Sequence, residues 1–110
     1  AAALGEFLNL SEPRPASFIH LTLGSGIGSG IILGGRIWHG ACGFAAELGH
    51  LLVNSRGRAC GCGNLGCAET ESSEAGIIAS FREFSGSTAA ISSRDIFQLW
   101  QEGAEPAAVL

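Results

Sequence analysis

The sequence predicts an α/β unit in which a strand hairpin, flanked by helices, leads into a metal-binding loop. Three observations carry this prediction. Residues 18–23, FIHLTL, alternate well enough for a strand, and a second apolar run at Ile31, Ile32 and Leu33 follows the turn-rich GSGIGSG. Apolar residues recur at helical spacing at Ile77, Ile78, Phe81 and Phe84, and again at Ile96, Phe97, Leu99 and Trp100. Between the hairpin and these helical stretches lies RACGCGNLGC, residues 58–67, in which three cysteines are packed among glycines.

Leu4, Phe7 and Leu8 have helix-like spacing, so residues 1–9 read as the end of a helix. Pro13 and Pro15 then make a loop, because each removes a backbone donor and restricts the chain direction. The hairpin follows. Gly34 and Gly35 turn the chain before Arg36, Ile37 and Trp38; residues 44–47 read as a short helical turn, 51–53 as a strand and 54–57 as the turn into the cysteines. Residues 69–84 read as one helix whose first turns are weakened by Ser72 and Ser73. Ser92, Ser93, Arg94 and Asp95 resemble a helix start, and the apolar stripe after them is expected to pack in the core. Residues 103–110, GAEPAAVL, begin another helical pattern. Both ends read as cut, since no capping residue or initiator methionine precedes the first helix, and an internal piece of a longer protein is expected.

Bulk properties narrow the function classes. A chain of 110 residues holds one domain or part of one, and 46% hydrophobic with 15% charged residues is a globular composition. Residues 18–35 carry no formal charge, yet six glycines with Thr22, Ser25 and Ser29 argue against a membrane span. A net charge of −4 without a basic cluster offers no general reason to hold nucleic acid. All six basic residues are arginines, which excludes a P-loop lysine from this chain.

Cys60, Cys62 and Cys67 form C-x-C-x4-C, with His50 upstream. Three thiolates and an imidazole satisfy a tetrahedral zinc ion, and Gly61, Gly63 and Gly66 allow the sharp turns that bring sulfurs together. The competing readings are reduced core thiols or a disulfide pair, for which four cysteines allow three connectivities. The ligand pattern favours zinc, in a structural role because four protein ligands leave no open position for water. Cys42 reads as a packed thiol outside the cluster. Residues 24–30 fail as a dinucleotide fingerprint, since Ser29 stands at the third glycine and a strand, not a helix, follows. Alone they read as a glycine-rich hairpin, with a phosphate-binding nest of backbone amides as the alternative.

In order, LTLGSGIGSGIILGG, WHGACGFAAELGH and CGCGNLGCAE make a combination more specific than its parts. It resembles the ROK family of bacterial sugar kinases and sugar-responsive repressors, from Ala1 to about Gly103. The resemblance implies an actin/hexokinase-like, ribonuclease H-like ATPase fold, with residues 1–110 the first part of the larger C-terminal domain and 50–67 its zinc loop. It implies that His50, Cys60, Cys62 and Cys67 hold structural Zn2+. It also implies that Glu47, His50 and Glu69 contact sugar hydroxyls, and that Gly24, Ser25, Gly26 and Gly28 lie at the phosphates of ATP with Mg2+. Taken singly, Glu47 and Glu69 would read as solvated surface.

Three positions depart from the family pattern. Ser25 replaces Thr and keeps a hydroxyl, Ser29 replaces Gly and is expected to place a side chain near the phosphates, and Ala46 replaces a Gly beside Glu47. The resemblance implies that the family's catalytic Asp is to be expected before Ala1, and Asp95 lies too far along the chain to replace it, so no catalytic residue is assigned here and the piece alone is expected to be inactive. The resemblance implies a cytoplasmic glucokinase-like hexose kinase, homo-oligomeric as a dimer or tetramer, with no membrane partner. The alternative is the sugar-sensing part of a repressor, for which DNA would be a partner through an upstream helix-turn-helix. A third reading keeps zinc and has no ligand.

Overall fold

The computed structural model describes residues 1–103. Its elements are α1 (Ala2–Asn9), β1 (Ser17–Leu23), β2 (Ile27–Leu33), β3 (Arg36–Ile37), a 3-10 turn (Leu48–His50), α2 (Ala68–Ser72), α3 (Glu74–Ser85) and α4 (Ser93–Gln101). The three strands form one antiparallel sheet in the order β1-β2-β3. No described helix is long and apolar enough to cross a membrane. The second helical pattern at 103–110 falls outside the described residues beyond Gly103.

Strand β2 begins at Ile27, four residues before the apolar run that signalled it, so the glycine-rich stretch is mostly strand and its turn is only Gly24, Ser25 and Gly26. Leu23 pairs with Ile27 and Ser17 with Leu33, which places Gly28 and Gly30 opposite Thr22 and His20. Gly30 is glycine for a packing reason: a Cβ there would collide with the Cβ of Ala3 on α1. That close approach lets α1 lay Ala3 and Phe7 on the sheet, with the Phe7 and Phe18 rings 5.8 Å apart and Ile32 fully buried beneath. Alternation along β1 sends Ile19, Leu21 and Leu23 to the opposite face, where they are exposed.

Two expected elements take a different form. The helix read across 69–84 breaks at Ser73, whose backbone is extended (ψ 171°) and whose Oγ accepts the Gly76 amide at 3.2 Å, capping α3. Serine competes with the helical backbone for such bonds, which makes it a start rather than a middle. At the break the chain crosses itself closely, since a Cβ on Gly76 would stand 2.7 Å from the Thr70 carbonyl oxygen. The strand read at 51–53 is a single bridge, Leu52 to Cys67. Its partner has no room to extend, because Gly66 has φ +65° and α2 begins at Ala68. The helical turn falls at Leu48–His50 rather than at 44–47.

Helix α4 starts where the sequence places it. Ser92 caps it in a reciprocal box with Asp95, and two hydrogen bonds from Ser92 hold the Asp95 carboxyl below its usual range. Its apolar stripe is not core: Phe97 and Trp100 are exposed, because only α3 packs closely against α4 among the described elements.

Candidate functional site

The four candidate ligands converge. His50 ends the 3-10 turn, Cys60 and Cys62 lie in the loop closed by the Ala59–Leu65 bridge, and Cys67 immediately precedes α2. Their ligand atoms all lie within 4.8 Å of one another, with Cys60 and Cys67 buried and His50 and Cys62 exposed. The loop is built by short-range bonds: the Cys60 amide donates to the Asn64 carbonyl at 2.8 Å and the Gly63 amide to the Cys60 carbonyl at 3.0 Å. Gly63 takes φ +95°, and at Gly66 a Cβ would run into the Asn54 backbone.

These residues fit a tetrahedral cation. Zinc–sulfur bonds of about 2.3 Å put tetrahedral sulfurs about 3.8 Å apart. Here Cys62 Sγ and Cys67 Sγ are 3.6 Å apart, and Cys60 Sγ is 3.5 Å from His50 Nδ1. The thiols also disturb one another. The Asn64 backbone amide, then the Cys60 and Cys67 thiols, lower Cys62 to about 7. Burial, then the Cys62 hydrogen bond, raises Cys67. At Cys60 the Cys62 amide pulls downward but is outweighed by the Glu69 carboxylate, burial and the other thiols, and the thiol is pushed up to about 12. Two of the three crowded thiols therefore resist ionising beside one another, an opposition that a divalent cation would relieve by stabilising the thiolates.

Glu69 stands at the edge of this cluster. Its Oε1 is 3.1 Å from Cys60 Sγ and 3.5 Å from His50 Nδ1. Its Oε2 lies 3.1 Å from the position a Cβ on Gly26 would occupy, so the same carboxylate rests against the glycine turn. The turn is docked a second time where the Glu74 amide at the start of α3 donates to the Gly24 carbonyl at 2.8 Å. Ser25 and Glu69 share a cleft of about 370 Å³ with Arg58, Thr70 and Ser73, a lining that includes neither Glu47 nor His50. None of Gly24, Gly26 and Gly28 has a positive φ, and Gly28 lies in β2 rather than in the turn.

Glu47 is exposed, and its side chain makes no hydrogen bond among the described residues. Its backbone is held by Ser29: the hydroxyl donates to the Ala46 carbonyl and accepts the Leu48 amide at 3.2 Å. The side chain expected near the phosphates therefore points to the 46–48 loop. Ala46 adopts φ +70°, a region that favours glycine. Gly49 sits against β2 so closely that a Cβ would meet the Ile27 carbonyl.

Arg58 has a role that no motif announced. All five of its donors are used: Nε and Nη2 on the Glu83 carboxylate at 3.2 and 2.7 Å, Nη2 also on Ser80 Oγ at 3.0 Å, and Nη1 on the Thr70 carbonyl at 2.9 Å and Glu71 at 3.2 Å. The guanidinium ties the cysteine loop to α2 and α3, and only a fold that brings 58, 71 and 83 together reveals it. Cys42 is exposed rather than packed, in a stretch turned by Gly40 and Gly43 at positive φ, and it lies outside the ligand cluster.

A family model described as the ROK family matches residues 1–110, the whole chain. The chain belongs to the ROK family. This ROK chain is 44% identical over 77 residues to a glucokinase of Halalkalibacterium halodurans, a match covering 69% of this chain and 23% of the relative. It is 40% identical over 78 residues to a xylose repressor of Caldicellulosiruptor bescii, covering 71% of this chain and 20% of the relative. Among solved structures it is similar to a ROK family glucokinase from Streptomyces griseus in complex with glucose and AMPPNP. That match has TM-score 0.69 and 37% identity, across 79% of this chain and 28% of that one. The ROK chain thus spans between a fifth and a third of the length of these relatives, and its α/β architecture is part of their actin/hexokinase-like fold.

Proposed function

We propose that this chain forms a ligand-facing part of an ATP-dependent hexose kinase of glucokinase type, in which the γ-phosphate of ATP passes to a sugar hydroxyl. The observation that carries the reading is the double placement of Glu69, with one carboxylate oxygen beside Cys60 and His50 and the other against Gly26 of the glycine turn. A sugar contact and a phosphate contact must be neighbours for transfer, whereas a sensor needs only the first.

In this reading Glu47, His50 and Glu69 meet sugar hydroxyls, the carboxylates accepting hydrogen bonds from the polyol. Gly24, Ser25, Gly26 and Gly28 lie toward the phosphates of ATP with Mg2+. His50, Cys60, Cys62 and Cys67 hold Zn2+, which supplies rigidity, and anchoring the carboxylates before the sugar arrives reduces the freedom lost on binding. The base for the sugar hydroxyl is assigned outside this chain, since Asp95 is engaged by Ser92 at the start of α4. A cytoplasmic dimer or tetramer belongs to the same reading.

The likeness to a xylose repressor favours a second reading, a sugar-sensing part of a DNA-binding regulator. One experiment separates them: full-length protein containing this chain, given a panel of hexoses with Mg-ATP and followed by calorimetry and by ADP release. Phosphorylation of at least one hexose is the expected result. Sugar binding without transfer, together with sugar-sensitive DNA binding, would establish the repressor. Silence from every sugar would overturn both and leave a metal-stabilised interaction module.

A further inference from the structure

The Ser29 hydroxyl occupies an unusual position. It donates to the carbonyl of Ala46 and accepts from the amide of Leu48, the two peptide groups on either side of Glu47. Those groups are the ends of a three-residue turn. Glu47 has φ −78° and ψ 54°, close to the inverse γ-turn minimum, in which the same carbonyl and amide approach each other. One oxygen spans the mouth of that turn, so both rotatable backbone bonds of Glu47 are set by a side chain from β2.

The turn needs such support. Ala46 enters it at φ +70°, a conformation that costs a residue with a Cβ but not a glycine. The Glu47 side chain is exposed and makes no hydrogen bond among the described residues, so it is the backbone that sets the direction in which its Cβ leaves the chain. Ser29 can serve because β2 is part of a sheet, paired with Leu21 of β1, and is itself fixed.

We propose that Ser29 is the positioning residue for Glu47: its hydroxyl locks the 46–48 turn and so aims the Glu47 carboxylate at the ligand. The ligand part rests on the sugar-binding reading above, whereas the locking of the turn does not.

The test uses the full-length protein with Ser29→Ala and Ser29→Thr. Two properties are measured, hydrogen exchange at the Leu48 amide and the KM values for hexose and for ATP. Removing the hydroxyl is expected to speed Leu48 exchange about tenfold and to raise the hexose KM about fivefold to tenfold, the scale of one or two lost hydrogen bonds. The ATP KM stays unchanged, and Ser29→Thr, which keeps the hydroxyl, restores both properties. Leu48 exchange that does not change in Ser29→Ala overturns the proposal, as does a rise in the ATP KM with the hexose KM unmoved. If the wild type binds no hexose, the sugar reading fails, and Leu48 exchange still decides whether Ser29 holds the turn.

Discussion

Cys60 Sγ and the Glu69 carboxylate lie 3.1 Å apart, so the residue assigned to sugar borders a residue assigned to metal without being one of the four clustered ligands. Glu69 reaches this place because Cys67 is buried at the entrance to α2 and the helix begins one residue later. The cluster therefore sets where the first turn of α2 starts, and the first turn sets where Glu69 points.

Replacing Glu69 by Gln keeps the size of the side chain and removes its charge. In the full-length protein the hexose KM is expected to rise by about ten- to a hundredfold, the range for losing a charged hydrogen-bond partner. Metal content measured by elemental analysis stays at one zinc per chain. Unchanged sugar kinetics would remove Glu69 from the site, and loss of zinc would make it a ligand.

Changing Cys60, Cys62 or Cys67 to Ser is expected to release the metal, and metal-free wild-type protein purified without chelator would refute the zinc assignment. The thiol shifts add a pH signature. A cation takes thiolates, so a raised thiol pKa means a proton that must leave, and affinity increases as pH rises. With Cys62 lowered to about 7 it is largely ionised at pH 8, whereas Cys60, at about 12, and the raised Cys67 still carry protons. Zinc binding at pH 8 should therefore release about two protons, measurable by calorimetry in buffers of different ionisation enthalpy. Release of none would show that the thiolates are already formed.

Arg58→Lys is expected to destabilise the protein nearly as much as Arg58→Ala, by about 1–2 kcal/mol. An ammonium cannot reproduce a planar fork that meets Glu83, Ser80, Glu71 and the Thr70 carbonyl together. The Glu83 end is exposed and screened, so most of the loss comes from the Thr70 and Glu71 side. Thermal unfolding of the zinc-loaded protein checks this, and a lysine variant as stable as wild type would show that charge alone suffices.

Legibility tracked how local each signal is. The helix start at Ser92 was readable because the bonds that make it join residues three apart, and the grouping of Cys60, Cys62 and Cys67 because their loop closes on itself. The break at Ser73 was half visible: the serines weakened the helix on paper, but the capping bond to Gly76 and the close crossing at Thr70 decided that it would split. The apolar stripe of α4 misled, since helical periodicity states which residues share a face and not whether another element covers it.

By itself the sequence determined the hairpin, the start of α4 and the convergence of His50, Cys60, Cys62 and Cys67 into a cluster able to hold a metal, because pleat, cap and thiol chemistry are written in residue type and short spacing. Only the tertiary structure decided that Glu69 touches both Cys60 and Gly26, that Arg58 ties the loop to α3, and that the Ser29 hydroxyl bonds the backbone on either side of Glu47. Those contacts join residues 9 to 43 positions apart. Their formation depends on how α1, the sheet and α3 stack, which no local pattern contains.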